Sequence, residues 1–386
     1  MYNVKLEEFC ERFNLGKIID SELFPIGMAN KTYRVETDQG KYVIKAINPT
    51  RVNTEKKLKR LVISENIAEI ASKNGVPSVL VKRIKGEIIT EFLDQHYMVF
   101  DFFDGEVIHL NKITTLHCFK AGKLLASLHS INFKGVSKRD IQKCNYGKRM
   151  DSKIDWNYYF QEVSKISPKW LNLLEENLSL LNKMFDLSYD VHINFTPQDK
   201  VVSHGDVSNL NIMWRENMPY FLDWETSGYI DATYECMYAA IRFSSQKNPQ
   251  DNKKRMLNMD KIYAFFEGYN EKRDLKTEDL DVALYMIYYK RLSILQSHFQ
   301  KYINATEDSQ RKHSERIIIP FLELLKSFEE LENQLGDIKE KIRYFQMKKE
   351  LKEGFVNEIK EEIKKEILEE LALGQKSKFS FKSLFR

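Results

Sequence analysis

The segment Val201-Val202-Ser203-His204-Gly205-Asp206-Val207-Ser208-Asn209-Leu210-Asn211-Ile212-Met213-Trp214, followed by Phe221-Leu222-Asp223-Trp224-Glu225, constrains this chain more than any other. A β-like run enters a polar loop that sets an Asp and an Asn five positions apart, and a second Asp ends the next apolar run. One loop and one neighbouring strand end therefore supply three oxygen-bearing side chains. Phosphoryl transfer uses a carboxylate to orient or deprotonate a hydroxyl, and oxygen ligands to hold Mg²⁺ against a nucleotide.

Upstream, Ile26-Gly27-Met28-Ala29-Asn30-Lys31-Thr32-Tyr33-Arg34-Val35 reads as strand, turn, strand, and residues 40–47 (Gly-Lys-Tyr-Val-Ile-Lys-Ala-Ile) alternate into another strand. A turn carrying Gly27 and Asn30 lets backbone N–H groups approach phosphates. From about residue 55 to 74 the spacing of Leu58, Leu61, Val62, Ile67, Ala68 and Ile70 predicts a helix, which Gly75 and Pro77 stop. A hydrophobic strand follows at 97–103, then a helix carrying Leu124-Leu125-Ala126-Ser127-Leu128-His129-Ser130. Further helical pieces are expected near 155–163, 170–185, 284–299 and 317–331.

In this order and spacing, His-x-Asp-x4-Asn followed by Asp resembles the catalytic loop and metal-binding Asp of the aminoglycoside phosphotransferase/choline kinase superfamily. Those enzymes look like eukaryotic-type protein kinases with His-Arg-Asp changed to His-Gly-Asp or His-Asn-Asp. The resemblance implies an α+β, bilobal protein-kinase-like fold. Residues 1–104 would form a small β-rich nucleotide-binding lobe, and residues 105–330 a larger, mainly helical catalytic and substrate lobe. It implies Mg²⁺ and ATP, with GTP an open alternative as donor. Asp206 takes the place of the catalytic base, Asn211 and Asp223 of the metal ligands, and His204 of a structural support. Asn209 competes with Asn211 by type, but spacing favours Asn211. Lys45 matches the strand Lys that contacts nucleotide phosphates. Glu65 is its expected ion-pair partner, with Glu69 one turn later as the alternative. Gly27 and Asn30 fall in the loop over the phosphates, and Phe100 in the hinge that holds the purine.

The acceptor is less constrained. Asp223 is followed by Trp-Glu rather than Phe-Gly, and no Ala-Pro-Glu ends an activation segment, which argues against a protein kinase. Asp-Trp-Glu resembles the choline kinase-like enzymes, whereas His-Gly-Asp is the form of the antibiotic, homoserine and spore-coat branches. Acidic groups beside aromatic rings suit an amino or quaternary ammonium compound. Trp224, Glu225, Tyr229, Asp231, Glu235 and Tyr238 are thus expected around the acceptor, with helix capping or loop bracing as the competing role for Asp231 and Glu235. The function implied is ATP- and Mg²⁺-dependent phosphate transfer to a hydroxyl of a small molecule: an amino alcohol, an aminoglycoside-like compound, or a sugar or amino acid. The alternative is a non-catalytic kinase-like interaction protein acting through its C-terminal arm.

That arm, residues 331–386, departs from the family. Leu324, Phe328, Leu331, Leu335, Ile338, Ile342 and Phe345 step by fours and threes, a heptad seam. Such a seam serves equally as a coiled coil for a homodimer or protein partner and as a helix folded on the chain's own large lobe. The tail from Lys376 mixes cations with Phe379, Phe381, Leu384 and Phe385, a composition that can touch anionic lipid surfaces.

Composition agrees with a cytoplasmic enzyme. Sixty basic against 56 acidic residues leave a net charge of +4, which argues against a dedicated nucleic-acid binder. Cys10, Cys118, Cys144 and Cys236 are too scattered for a zinc motif or a disulfide framework. Charges interrupt the N-terminus where a signal peptide needs an apolar run, and no apolar stretch is long enough to span a membrane.

Overall fold

The computed structural model describes residues 5–24, 30–134, 137, 139–150, 154–251 and 254–372. The chain forms an α+β fold with a β-rich N-terminal part and a mainly helical C-terminal part. The first helix, α1 (Leu6–Arg12), precedes strands β1 (Ile18–Leu23), β2 (Lys31–Thr37) and β3 (Gly40–Ala46). Helix α2 (Glu55–Lys73) follows, then β4 (Val81–Lys82), β5 (Thr90–Phe92) and β6 (Gln95–Asp101). These strands make one antiparallel sheet in the order β1-β2-β3-β6-β4, with β5 also on β6. Neither α1 nor β1 was expected from the sequence pattern.

Alternation along β3 sorts its side chains between two faces. Tyr42, Ile44 and Ala46 are buried with Phe9, Leu15, Val35 and Tyr97. Lys45 points the other way, and its strand neighbours are Thr32 and Met98. Helix α2 starts at Thr54, whose Oγ accepts the Lys57 amide, and ends before Gly75 at φ +82°. Its buried stripe includes Leu61, Glu65, Ile67, Ala68 and Ala71.

The C-terminal part opens with β7 (Glu106–Val107), α3 (Thr115–His129), α4 (Trp156–Ser164) and α5 (Leu171–Asn194). Strands β8 (Lys200–Ser203), β9 (Ile212–Arg215), β10 (Met218–Phe221) and β11 (Gly228–Asp231) frame the polar loop. After them come α6 (Ala232–Ser244), the β12 (Ser245–Lys247) and β13 (Arg255–Leu257) ribbon, and α7 (Met259–Asn270). Helices α8 (Leu280–Ile303), α9 (Asp308–Asn333) and α10 (Leu335–Ala372) complete the described chain.

Helices α3 and α7 touch through their backbones. A Cβ on Gly122 would lie 2.1 Å from the Phe265 carbonyl oxygen, and one on Gly268 would lie 1.9 Å from that of Phe119. This approach seats His129, at the end of α3, under the polar loop. The two lobes are stitched where Val79 N donates to Phe221 O (2.9 Å) and Phe221 N to Pro77 O (3.0 Å). Ile67, Ala68, Ala71 and Val76 extend the large-lobe core into α2. The small lobe is therefore held at a fixed place over the loop.

The heptad seam folds on the chain's own large lobe. Leu324, Phe328, Leu331, Leu335, Ile338, Ile342 and Phe345 are all buried in the main core. Gln346 Nε2 donates to Asn270 Oδ1 (3.0 Å) and Leu275 O (2.9 Å), and Lys349 pairs with Asp274 at 2.5 Å. Beyond this point α10 exposes Leu351 and Phe355. The basic-aromatic tail from Lys376 lies outside the described residues. Among those described, no helix is long and apolar enough to cross a membrane.

Candidate active site

The polar loop leaves β8 at Ser203 and is fixed before it reaches Asp206. The His204 ring is buried between Phe221 and Trp224. Its Nε2 donates to Leu222 O at 2.7 Å, and its Nδ1 accepts from the Asp206 amide at 3.4 Å. Gly205 has φ +78°, and a Cβ there would sit 2.5 Å from Thr226 O and 2.9 Å from Cys144 Sγ. His-Gly-Asp is thus the form that this packing admits. From below, buried Glu235 accepts the Gly205 amide (2.7 Å) and meets His129 Nε2 (3.1 Å). Burial works against the Glu235 carboxylate, but the bond from His129 and its charge bring the pKa below the ordinary value.

Asp206 emerges from this support half exposed, at 42% of its side-chain area. Asn211 Nδ2 donates to both its backbone oxygen and its Oδ2, each at 2.8 Å. Arg242, from α6, grips Oδ1. The hairpin register then sets the second Asp. Phe221 faces Ile212, and Leu222 N donates to Asn211 O at 2.9 Å. Asp223 therefore follows directly at the hairpin mouth beside Asn211, in a left-handed turn with φ 57°.

A charge cluster bridges the lobes at that turn. Lys45 Nζ donates to Asp223 Oδ1 (3.3 Å) and to Glu225 Oε1 (3.1 Å). Arg51 meets the other Glu225 oxygen at 2.5 Å, and Asn30 Nδ2 donates to Oε1 at 3.0 Å. Asn30 Oδ1 also accepts the Asn48 amide at 3.0 Å, pinning the edge of its loop. Burial alone would lower the Lys45 pKa, but Asp223, Glu225 and Glu65 together raise it. Burial likewise opposes ionised Asp223, and Lys45 reverses the sign and lowers its pKa.

The ion pair expected between Lys45 and Glu65 is not formed in this arrangement. Lys45 binds Asp223 and Glu225 instead, and Glu65 feels it only through space. Glu69, the alternative partner, is taken by Arg83 at 2.8 Å. Glu65 is 4% exposed, and its Oε2 has no hydrogen-bond partner among the described residues. Burial pushes its pKa up from 4.5 to about 8, with Lys45 pulling the other way. A folded pKa above the unfolded one contributes stability that is complete below about pH 4.5 and lost as pH rises through about 8. Glu65→Gln should therefore melt close to the native chain at pH 5 and above it at pH 8. Equal melting temperatures at pH 8 would show that this carboxyl is not held neutral.

The donor set suits a hard divalent cation bound jointly with phosphates. Asn211 commits its nitrogen to Asp206, which leaves its Oδ1 as an acceptor, and only Oδ1 of Asp223 engages Lys45. No cluster of three or more His, Cys, Asp or Glu side chains occurs among the described residues, so no all-protein cage is present there. Magnesium typically takes one or two protein ligands and completes its shell with water and phosphate oxygens. Asn209 is excluded from that role by its packing: it is buried, and its Nδ2 donates to Ile108 O at 3.1 Å.

The acidic acceptor pocket expected from the sequence is corrected by the packing. Trp224 is 1% exposed and belongs to the core. Glu225 joins the lobes. Asp231 caps α6 through the Tyr234 amide (3.0 Å) and also accepts the Gln198 and Asp199 amides, each at 3.1 Å. Glu235 braces the loop. Tyr229, half-buried on β11, carries Lys200 over its ring at 4.2 Å. Gly27 lies outside the described residues, and Phe100 sits near the end of β6 opposite Val43 and Val81. Four cations were missed: Arg51 and Arg242 in the contacts above, and Lys290 and Arg291 near Tyr238. Only Arg242 left a sequence trace, as the one basic residue of a largely apolar helix.

The family model described as the phosphotransferase enzyme family matches residues 20–263, more than half of the chain. A homoserine kinase of Chelativorans sp. (strain BNC1) is 24% identical over 283 residues, which is 72% of this chain and 79% of that protein. A spectinomycin phosphotransferase solved with ADP and spectinomycin superposes with a TM-score of 0.63 at 12% identity, covering 85% of this chain and 99% of that one. A microcompartment-associated aminopropanol kinase gives 0.53 at 14% identity, covering 87% and 99%. At such identities the two structures speak for the fold, while the family match speaks for the chemistry. The chain belongs to the phosphotransferase enzyme family.

Proposed function

We propose that this enzyme transfers the terminal phosphate of ATP, with Mg²⁺, to a hydroxyl of a small metabolite or antibiotic-like compound. The observation that carries the reading is the bonded pair Asp206–Asn211 beside Asp223, with Lys45 delivered to the same point from the other lobe. In this reading Asp206 orients the acceptor hydroxyl and takes its proton. The hydroxyl oxygen bonds to the terminal phosphorus as the bond to the bridging oxygen breaks, and ADP leaves. Asn211 Oδ1 and the Asp223 carboxylate hold the cation, which neutralises phosphate charge when bound. Lys45 exchanges part of its carboxylate contact for the nucleotide phosphates, with Glu65 and Glu225 keeping it in place. Asn30 orders the loop over the phosphates, and the β6 backbone near Phe100 takes the base. A cytoplasmic location suits ATP use and the four free cysteines.

The test is Mg²⁺-dependent ADP release from ATP across choline, ethanolamine, homoserine, aminoglycosides, macrolides and simple sugars. We expect release that depends on one class of acceptor and stops when Mg²⁺ is chelated. Tight nucleotide binding with no release for any acceptor would favour the non-catalytic reading instead.

A further inference from the structure

We infer that the acceptor is an anion: a hydroxylated compound whose carboxylate or phosphate is held by Lys290 and Arg291 beside Tyr238. This rests on the phosphotransferase reading above and names the substrate class for it. Helix α6 passes three residues at about one-turn spacing beneath the catalytic loop. Glu235 supports the loop, Tyr238 follows, and Arg242 grips Asp206. The Tyr238 ring is the meeting point of three cations. Lys290 Nζ lies 4.6 Å from its centroid, Arg291 Cζ 5.3 Å and Arg242 Cζ 5.6 Å.

Of these, Arg242 has a carboxylate partner, while Lys290 and Arg291 form no ion pair among the described residues. Arg291 Nε is shut off from solvent and has no hydrogen-bond partner among them either. Burial opposes ionisation of the Tyr238 phenol, yet Arg291, Lys290 and Arg242 bring its pKa below the ordinary value. The nearby acids offer no balance: Glu235 is bound to Gly205 and His129, and Asp206 to Asn211 and Arg242. Beyond Lys290 a cavity of about 230 Å³ is lined by further cations, Lys148 and Lys301, with Ser293 and His298. Uncompensated like charges held together are relieved by an anionic ligand. An ammonium compound meets only repulsion here, the reverse of the acceptor suggested by the acidic sequence run after Asp223. A carboxylate or phosphate a few bonds from the hydroxyl would bridge Tyr238 and Asp206.

The test is ADP release at saturating MgATP with four small alcohols. 4-Hydroxybutyrate carries a carboxylate, L-homoserine a carboxylate and an ammonium, 3-amino-1-propanol an ammonium alone, and glycerol 3-phosphate a phosphate. We expect at least one anion-bearing alcohol to exceed 3-amino-1-propanol tenfold or more in kcat/KM, and its identity separates carboxylate from phosphate. The double variant Lys290→Gln/Arg291→Gln should raise KM for that acceptor at least tenfold and leave MgATP binding intact. Equal or better use of 3-amino-1-propanol, or an unchanged KM in the double variant, overturns the anion site and leaves the phosphotransferase reading standing. No ADP release from any of the four leaves the phosphotransferase reading to the broader acceptor panel above. The anion site is then judged by titrating 4-hydroxybutyrate and glycerol 3-phosphate into the MgADP-bound protein, followed by tryptophan fluorescence. Saturable binding that the double variant loses supports it; no binding, or equal binding by the variant, overturns it.

Discussion

Asp206→Asn is expected to lower kcat by about a thousandfold, the middle of the range for removing a positioned general base. That corresponds to about 4 kcal/mol of lost transition-state stabilisation. The amide keeps the shape of the carboxylate and can still bond Asn211, so the loop does not collapse. The pair with Arg242 is lost, but Asp206 is 42% exposed and Arg242 23%, and solvent-screened pairs contribute less than about 1 kcal/mol. KM for MgATP should hardly move, because nucleotide contacts lie with Lys45, Asn211 and Asp223. The check is steady-state kinetics beside a urea melt of the same preparation. A folded variant that keeps more than about a tenth of native kcat would remove Asp206 from the base role.

How far this site was legible depends on how local each part is. His204, Asp206, Asn211 and Asp223 fall within one loop and one hairpin. The β9–β10 register alone sets Asp223 next to Asn211, so spacing in sequence was already geometry. Lys45 was legible because alternation along β3 fixes which face it takes. Glu225 was not. It follows Trp224 in a run that looks like an acceptor pocket, but the left-handed turn at Asp223 leads into a segment that carries it toward Lys45 and Arg51. The same turn explains the lost Lys45–Glu65 pair, since two other carboxylates reach Lys45 first. Lys290 and Tyr238 meet only because α6 packs on α8, and no local pattern encodes that crossing. The heptad seam shows a different limit. Its spacing says that one helix face is apolar without saying what covers it, and here the cover is the chain's own α7 and α8.

Lys45→Met should be the most damaging change to the interlobe cluster, and pH separates its electrostatic part from its packing part. Activity should fall about a hundredfold or more, as for removal of a preorganised charge contact at a transferring group. Stability should fall by about 3 kcal/mol near pH 8, a loss set by leaving buried Glu225 short of a partner. Asp223 adds less, because it is 48% exposed and water screens it. In the native chain Lys45 holds the Asp223 pKa below its ordinary 3.8, so that contribution is present above pH 3.8 and lost as pH falls through the depressed value. Without Lys45, burial and the Asp223, Glu225 and Glu69 carboxylates all push the Glu65 pKa further up, whereas Arg51 and His204 still pull Asp223 down. The variant keeps Glu65 protonated where the native chain ionises it, so it goes on losing stability above about pH 8, and the gap to the native chain widens between pH 5 and about pH 9. Urea melts at the two pH values measure it. A gap of the same size at both would mean that the methionine side chain simply packs badly between the lobes, and that the cluster is not what couples the small lobe to the catalytic hairpin.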